Sequence, residues 1–158
     1  MAKNNKTMKK FSYLLMAAFA VMTVCSSCSK DEEDGGKVDS KSLVGTWRCV
    51  SEEGYEIYDG EKEEWKDTYN NPNEYWGIIF NADGTGVTYD YYNGEEYEDN
   101  FTWKLSGNKL TIKHPEESDA DVGTIESLTS KQLVTVYEWV SADGKEKEYE
   151  KATFTRVK

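Results

Sequence analysis

Asn93-Gly94 constrains this chain more than any other pair of residues, because segments alternating aromatic and polar residues flank it on both sides. The central residues of a type I′ turn need positive φ, which Asn and Gly adopt most readily, so the pair specifies a β-hairpin. Similar punctuation recurs at Asp59-Gly60, Asn81-Ala-Asp-Gly84, Ser106-Gly-Asn108 and Ser141-Ala-Asp-Gly144. The runs between these turns are rich in Tyr, Trp, Val, Ile and Thr, residues that suit a pleated, half-buried surface. Proline, which cannot donate to a strand ladder, occurs only at Pro72 and Pro115. No segment carries an amphipathic pattern of three helical turns, so the chain reads as all-β.

Thr46–Ser51 is the expected first strand, with Gly45, Trp47 and Cys49 on one face and Thr46 and Arg48 on the other. Tyr55–Tyr58 and Glu63–Tyr69 are weaker candidates joined through Asp59-Gly60. Trp76–Phe80 aligns Trp76, Ile78 and Phe80, and Thr85–Tyr92 alternates Val87, Tyr89 and Tyr91. The return strand puts Tyr97, Phe101, Trp103 and Leu105 on one face and turns Glu96, Glu98, Asn100, Thr102 and Lys104 to water. Lys109–His114 points Leu110 and Ile112 inward. Beyond the acidic loop Pro115–Asp121 come Thr124–Leu128, Gln132–Val140 and Glu146–Val157. About eight to ten antiparallel strands joined this tightly fold as an up-and-down barrel or a sandwich. Closure removes exposed strand edges, so the barrel is the expected fold.

Residues 1–27 have the layout of a cleavable export signal: Lys9-Lys10, an apolar run from Phe11 to Val24, then Ser26-Ser27-Cys28. The apolar run is about 14 residues, short of the ~20 that span a bilayer as a helix. Small residues before a cysteine resemble the lipobox of bacterial lipoproteins, which implies diacylglycerol on the Cys28 thiol and a membrane anchor. Residues 28–41 read as an acidic flexible tether, opening Ser29-Lys30-Asp31-Glu32-Glu33-Asp34. That run resembles the surface-export signal of some Gram-negative lipoproteins. The expected location is the outer membrane, lipid-anchored and cell-surface exposed, with residues 42–158 as one barrel domain.

The signal carries four lysines and no acid, so its removal shifts the formal charge from −11 to about −15. Such a charge repels nucleic acid and anionic lipid headgroups, which excludes nucleic acid as an expected partner. Of the three cysteines only Cys49 stays in the mature domain without lipid, so no intrachain disulfide is expected. Cys49 is either a small buried hydrophobe in its strand or a reactive thiol. A monomer held by its own core is expected.

Leu43-Val-Gly45-Thr46-Trp47, Phe80-Asn-Ala-Asp-Gly84-Thr85 and Trp103-Lys-Leu-Ser-Gly-Asn-Lys-Leu110 together resemble the lipocalin-like domains of small bacterial surface lipoproteins. The resemblance covers roughly residues 40–158. It implies a calycin-type barrel in which the Trp of the G-x-W opening packs under a basic residue from the last strand. Gly45, Trp47 and Arg156 are the residues so assigned, closing one barrel end.

No catalytic constellation stands out. The single histidine, His114, ends a strand beside Pro115, and one histidine with one thiolate makes no usual zinc site. The adjacent acids Glu63/Glu64, Glu95/Glu96 and Glu116/Glu117 point to opposite faces of a strand, unlike a glycosidase pair. Asp119-x-Asp121-x-Gly123 lacks the remainder of a calcium loop. No enzyme activity, metal or cofactor is therefore expected. The aromatics are the remaining lead: Tyr89, Tyr91, Trp103, Tyr137 and Trp139 either line an internal cavity or fill the barrel by packing. The first option makes the chain a binding module for a small apolar or amphiphilic ligand. The second leaves a protein- or glycan-interaction lipoprotein that uses acidic loops or an aromatic patch of Tyr69, Tyr75, Tyr91 and Tyr92.

Overall fold

The structure, a computed structural model, describes residues 38–157. The export signal, Cys28 and the tether through residue 37 lie outside the described residues. A one-turn helix α1 (Ser40–Leu43) is followed by nine strands: β1 (Gly45–Tyr58), β2 (Glu61–Thr68), β3 (Glu74–Phe80), β4 (Thr85–Tyr92), β5 (Glu95–Ser106), β6 (Lys109–Lys113), β7 (Asp121–Leu128), β8 (Gln132–Val140) and β9 (Lys147–Arg156). Asp39 caps α1 by accepting from the Ser42 N–H at 2.8 Å, so the helix starts inside the segment read as tether.

Every pairing is antiparallel, and the sheet closes because β1 pairs with β9 as well as with its neighbours on the other edge. That other edge is shared. Gly45–Arg48 pairs with β3, and Ser51–Tyr58 pairs with β2. β2 and β3 run in the same direction and together form one limb, interrupted at residues 69–73, where Pro72 cannot donate a ladder bond. The result is an eight-limbed closed barrel in which β2 continues the limb of β3 along the upper part of β1. Charged residues along β2 (Glu61-Lys-Glu-Glu64, Lys66, Asp67) guard its outer edge.

The hairpin signals act as their chemistry requires: Asn93 and Gly94 have φ of 55° and 85°, and Asp59 and Gly60 have 52° and 81°. The first strand corrects the sequence reading. Instead of two segments it is one strand of 14 residues, carried through by a bulge between Cys49 and Ser51. The inserted residue, Val50, reverses the phase of the strand. Trp47 and Cys49 face inward below the bulge, and Glu52, Gly54 and Glu56 face inward above it.

The core occupies one end of the barrel. Leu43, Trp47, Cys49, Ile78, Phe80, Phe101, Trp103, Leu110, Ile125, Leu128, Leu133, Ala152 and Phe154 form one buried cluster. Edge-to-face ring pairs knit it: Phe80 with Trp103 at 5.4 Å, Phe80 with Phe101 at 5.8 Å, and Trp76 with Phe154 at 5.2 Å. α1 lies beneath this end. The Trp47 indole N–H donates to the Leu43 carbonyl at 2.8 Å, and the Arg156 guanidinium lies 4.1 Å from the Trp47 ring centre. Arg156 also donates to the carbonyls of Val44, at 2.9 Å, and Ser42. The first and last described residues both lie at this closed end, where the Val157 N–H bonds to the Thr46 carbonyl.

Candidate functional site: the open half of the barrel

At the opposite end the inner faces run from half-buried residues such as Trp65, Tyr137 and Trp139 to exposed ones such as Glu56 and Glu63. The β1–β2, β4–β5 and β8–β9 turns and the loop between β6 and β7 form the rim. Register defines three inward rows across β2, β1, β9 and β8. In the deepest, Glu52 lies between Asp67 and Ala152, with Thr135 beyond. The middle row runs Trp65, Gly54, Glu150, Tyr137, with Gly123 of β7 next to Tyr137. The Trp65 ring lies over Gly54, 2.6 Å from where a Cβ would stand, so only glycine admits it there. Nearest the rim come Glu63, Glu56, Glu148 and Trp139.

Burial and like charge set the titration of this region. Glu52 is 8% exposed and sits where the open half meets the core. Burial pushes the Cys49 thiol well above its usual range, with Glu52 and Glu150 adding to the shift. The Tyr69 phenol rises in the same way, through burial and then Glu52. Tyr137 is pushed up to about 12 by burial, then by Asp121, Glu148, Glu150 and Glu117. Asp121 is raised by burial and by Glu117, against the opposing pull of His114 and Lys113. Across the barrel, burial and then Glu74 raise Asp90.

The outward rows of the same strands differ in kind. Glu53 lies between Lys66 and Lys151, and its carboxylate meets the Lys66 ammonium at 2.7 Å. Lys62 pairs with Glu64 at 2.5 Å and sits 4.4 Å from the Tyr55 ring centre, and Tyr55 stacks on Tyr149. Lys151 also pairs with Glu126.

Of the residues expected to line a ligand, Tyr137 and Trp139 stand on the inner face of the open half. Trp103 faces inward but belongs to the closed half, where it is buried and its indole N–H donates to the Thr85 carbonyl at 2.8 Å. Tyr89 and Tyr91 are on the outside. Gly86 pairs with Phe80 and faces inward, so the alternation of β4 sends positions 89 and 91 outward. There Tyr75 stacks on Tyr91 at 5.2 Å, Tyr89 bonds to the Trp47 carbonyl at 3.0 Å, and Arg48 lies 4.2 Å from the Tyr75 ring centre. Their alternation was visible in sequence, but its phase was not.

Trp65, Glu52, Glu56, Glu148 and Glu150 were not singled out from the sequence. For Glu148 and Glu150 a signal existed, because they share the parity of Ala152, Phe154 and Arg156. The β1 residues were hidden by the bulge. Two further depressions lie elsewhere: about 550 Å³ between the turns at Asp59-Gly60 and Asp143–Glu146, and about 420 Å³ lined by Glu53, Tyr55, Glu64, Trp65, Lys66 and Tyr149.

These features define a class: a closed, antiparallel, up-and-down barrel plugged at one end by a Trp and an Arg, with its other end lined from within. Residues 43–135 match the lipocalin-like domain family, and the chain belongs to it. Among solved structures it is similar to insecticyanin from the tobacco hornworm Manduca sexta, at 10% identity and a TM-score of 0.57, over 77% of this chain and 65% of that one. The chain thus spans about two-thirds of insecticyanin's length. Bovine odorant-binding protein, solved in complex with undecanal, aligns at 18% identity and a TM-score of 0.42, over 80% of this chain and 78% of that chain. The bovine lipocalin allergen Bos d 2 aligns at 13% identity and a TM-score of 0.43, over 75% of each chain. No curated protein matches the sequence.

Proposed function

We propose that this chain is an exported, lipid-anchored, non-catalytic binding module that holds a small amphiphilic ligand in the open half of its barrel. The observation that carries this reading is the contrast between the two ends. The closed half is filled by its own rings, whereas in the open half Trp65, Tyr137 and Trp139 face inward beside carboxylates and stay half-buried. Its chemistry suits binding: Cys49 is buried with a raised pKa, so it is not presented as a nucleophile. Membership of a lipocalin-like family supports the same conclusion.

Lipidation at Cys28, on the outer face of the outer membrane, orients the molecule. The chain enters the barrel at the closed end, ten residues after Cys28, a reach of at most about 35 Å. The open half then points away from the bilayer into the medium. Native mass spectrometry of protein purified from its host, followed by titration with a neutral apolar fluorescent probe, tests the reading. A co-purified small molecule, or saturable probe binding lost on Tyr137→Ala, supports it; neither outcome removes it. In the second reading, a packed barrel meets a protein or glycan through the outer Arg48, Tyr75, Tyr89 and Tyr91 strip, which is favoured by those four half-buried side chains packing against one another on the outer sheet face.

A further inference from the structure

Charge in this protein is divided along the barrel axis. The closed end comprises α1, the end of β9 and the β3–β4, β5–β6 and β7–β8 turns. Within two residues of those segments stand Lys41, Lys109, Lys131 and Arg156, against only Asp39 and Asp83. Both acids are turned to backbone donors: Asp39 accepts from the Ser42 N–H at 2.8 Å and Asp83 from the Thr85 N–H at 3.0 Å. Lys41, Lys109 and Lys131 are exposed, and Lys109 and Lys131 form no salt bridge among the described residues. One residue further along the strands, Lys104 is offset by Glu126, which itself meets Lys151. The open end reverses the balance. By the same margin acids there outnumber lysines by more than two to one, and the loop between β6 and β7 alone holds Glu116, Glu117 and Asp119.

A mature charge of about −15 repels an anionic bilayer as a whole only if it acts as one point, and over this molecule it does not. β1 is 14 residues long and spans about 45 Å. Screening at physiological salt weakens interactions beyond about 8 Å, so an approaching surface feels the end that faces it and not the end that faces away. Anionic headgroups therefore attract the lysines of the closed end and repel the open end. The chain enters the barrel at that same closed end, so the anchor presents the cationic face to the bilayer first. Its reach of up to about 35 Å sets a distance and leaves the tilt of the barrel undetermined. The run Asp31-Glu-Glu-Asp34 stays within that reach of the surface whichever way the barrel faces, so it favours no orientation over another.

We infer that the closed end is a docking face for an anionic lipid surface, with Lys41, Lys109 and Lys131 against headgroup phosphates and the mouth of the barrel held toward the medium. This rests on reading Cys28 as lipidated and adds what the anchor leaves unspecified, the face that meets the bilayer. The mature protein as purified from its host tests it when added to preformed vesicles, either of phosphatidylcholine alone or with phosphatidylglycerol at about one part in three. Acetylation of lysines by a water-soluble reagent, read by mass spectrometry, shows which face is covered. Lys41, Lys109 and Lys131 are expected to react at least about threefold more slowly on the anionic vesicles than on the neutral ones, while Lys62 and Lys145 at the open end react at the same rate on both. Raising the salt to about 0.5 M is expected to erase the difference.

Lys109→Gln with Lys131→Gln is expected to return Lys41 to its rate on neutral vesicles. Lys62→Gln with Lys145→Gln, which changes net charge equally at the open end, is expected to leave Lys41 protected. Melting curves establish that both double variants are folded. Equal rates on the two kinds of vesicle, protection that extends to Lys62 and Lys145, or an equal loss of protection in both double variants overturns the inference and leaves the anchor standing. Mature protein whose Cys28 is unmodified by mass, and which stays behind when the vesicles float up a density gradient, removes the anchoring reading and this inference with it.

Discussion

Replacing Arg156 by Met keeps the length of the side chain and its packing stem but removes the guanidinium that ties the last strand to the first turn of the domain. Three interactions are lost. The hydrogen bond to the Val44 carbonyl at 2.9 Å is partly buried, and a charged donor there contributes about 1.5–2 kcal/mol. The bond to the Ser42 carbonyl is exposed and replaceable by water, so it adds only about 0.5 kcal/mol. Stacking on the Trp47 ring, 4.1 Å away, adds about 0.5–1 kcal/mol. Arg156→Met is therefore expected to cost about 3 kcal/mol, a large share of the 5–15 kcal/mol typical of a domain. Equilibrium urea unfolding measures this as a lower midpoint at unchanged slope.

A local readout separates this mechanism from generic loss of packing. A four-residue helix has no stability of its own, so α1 depends on Leu43 burial, the Trp47 indole bond and Arg156. Amide exchange at Leu43 and Val44, which bond to Asp39 and Ser40, should rise in the variant more than exchange at Ile125 or Leu133 in the core. Arg156→Lys, which keeps the charge but not the fork, should fall between the two. A destabilisation of Arg156→Met below about 0.5 kcal/mol, or exchange that rises equally everywhere, would refute the assignment of Arg156 as the tie across the closed end.

Two further outcomes follow from the packing and titration of the barrel. A Cβ at Gly77 would fall 2.5 Å from Tyr89 Cζ and closer still to the Trp47 carbonyl oxygen, so Gly77→Ala should cost about 2–3 kcal/mol in urea unfolding, while Gly60→Ala, with open space around it, should show only the smaller strain of its positive φ. Tyr137, pushed up to about 12, holds its proton in the folded state after the unfolded phenol has lost it near pH 10. Its contribution is complete below that value and lost as pH rises toward about 12, so wild-type stability should fall more steeply than that of Tyr137→Phe over this window, by at most about 2–3 kcal/mol, and in parallel with it below pH 10.

How much of this molecule was legible in its sequence depends on what each feature rests upon. The turns were legible because their chemistry is local: Asn93-Gly94 and Asp59-Gly60 reach positive φ whatever surrounds them. The pairing of Trp47 with Arg156 was expected from family resemblance, and no local rule would have joined residues so far apart in the chain. The inward and outward faces of β1 were not legible, because a bulge at Val50 arises from the register of two strands and leaves no mark in either one. β4 failed for a related reason. Tyr89 and Tyr91 alternate as cleanly as any inward pair, and only the pairing of Gly86 with Phe80 shows that Gly86, Thr88 and Asp90, and not the tyrosines, share the inner face.

The same bulge joins the fold to the proposed site. Were Val50 paired regularly instead of bulged out, the odd positions of β1 would stay inward along its whole length, bringing Glu53 and Tyr55 inside and sending Glu52 and Glu56 to the surface. The inner neighbours of Glu148 and Glu150 would then change, and Glu53 would no longer meet Lys66 and Lys151 in water. The bulge thus lets this one strand, with odd residues inward before it and even residues inward after it, supply Trp47 and Cys49 to a dry, ring-filled end and Glu52 and Glu56 to an acidic, wetter one. Neither requirement alone calls for a bulge in this strand. Both together do, which is why the break in phase falls where the buried cluster stops and the carboxylate rows begin.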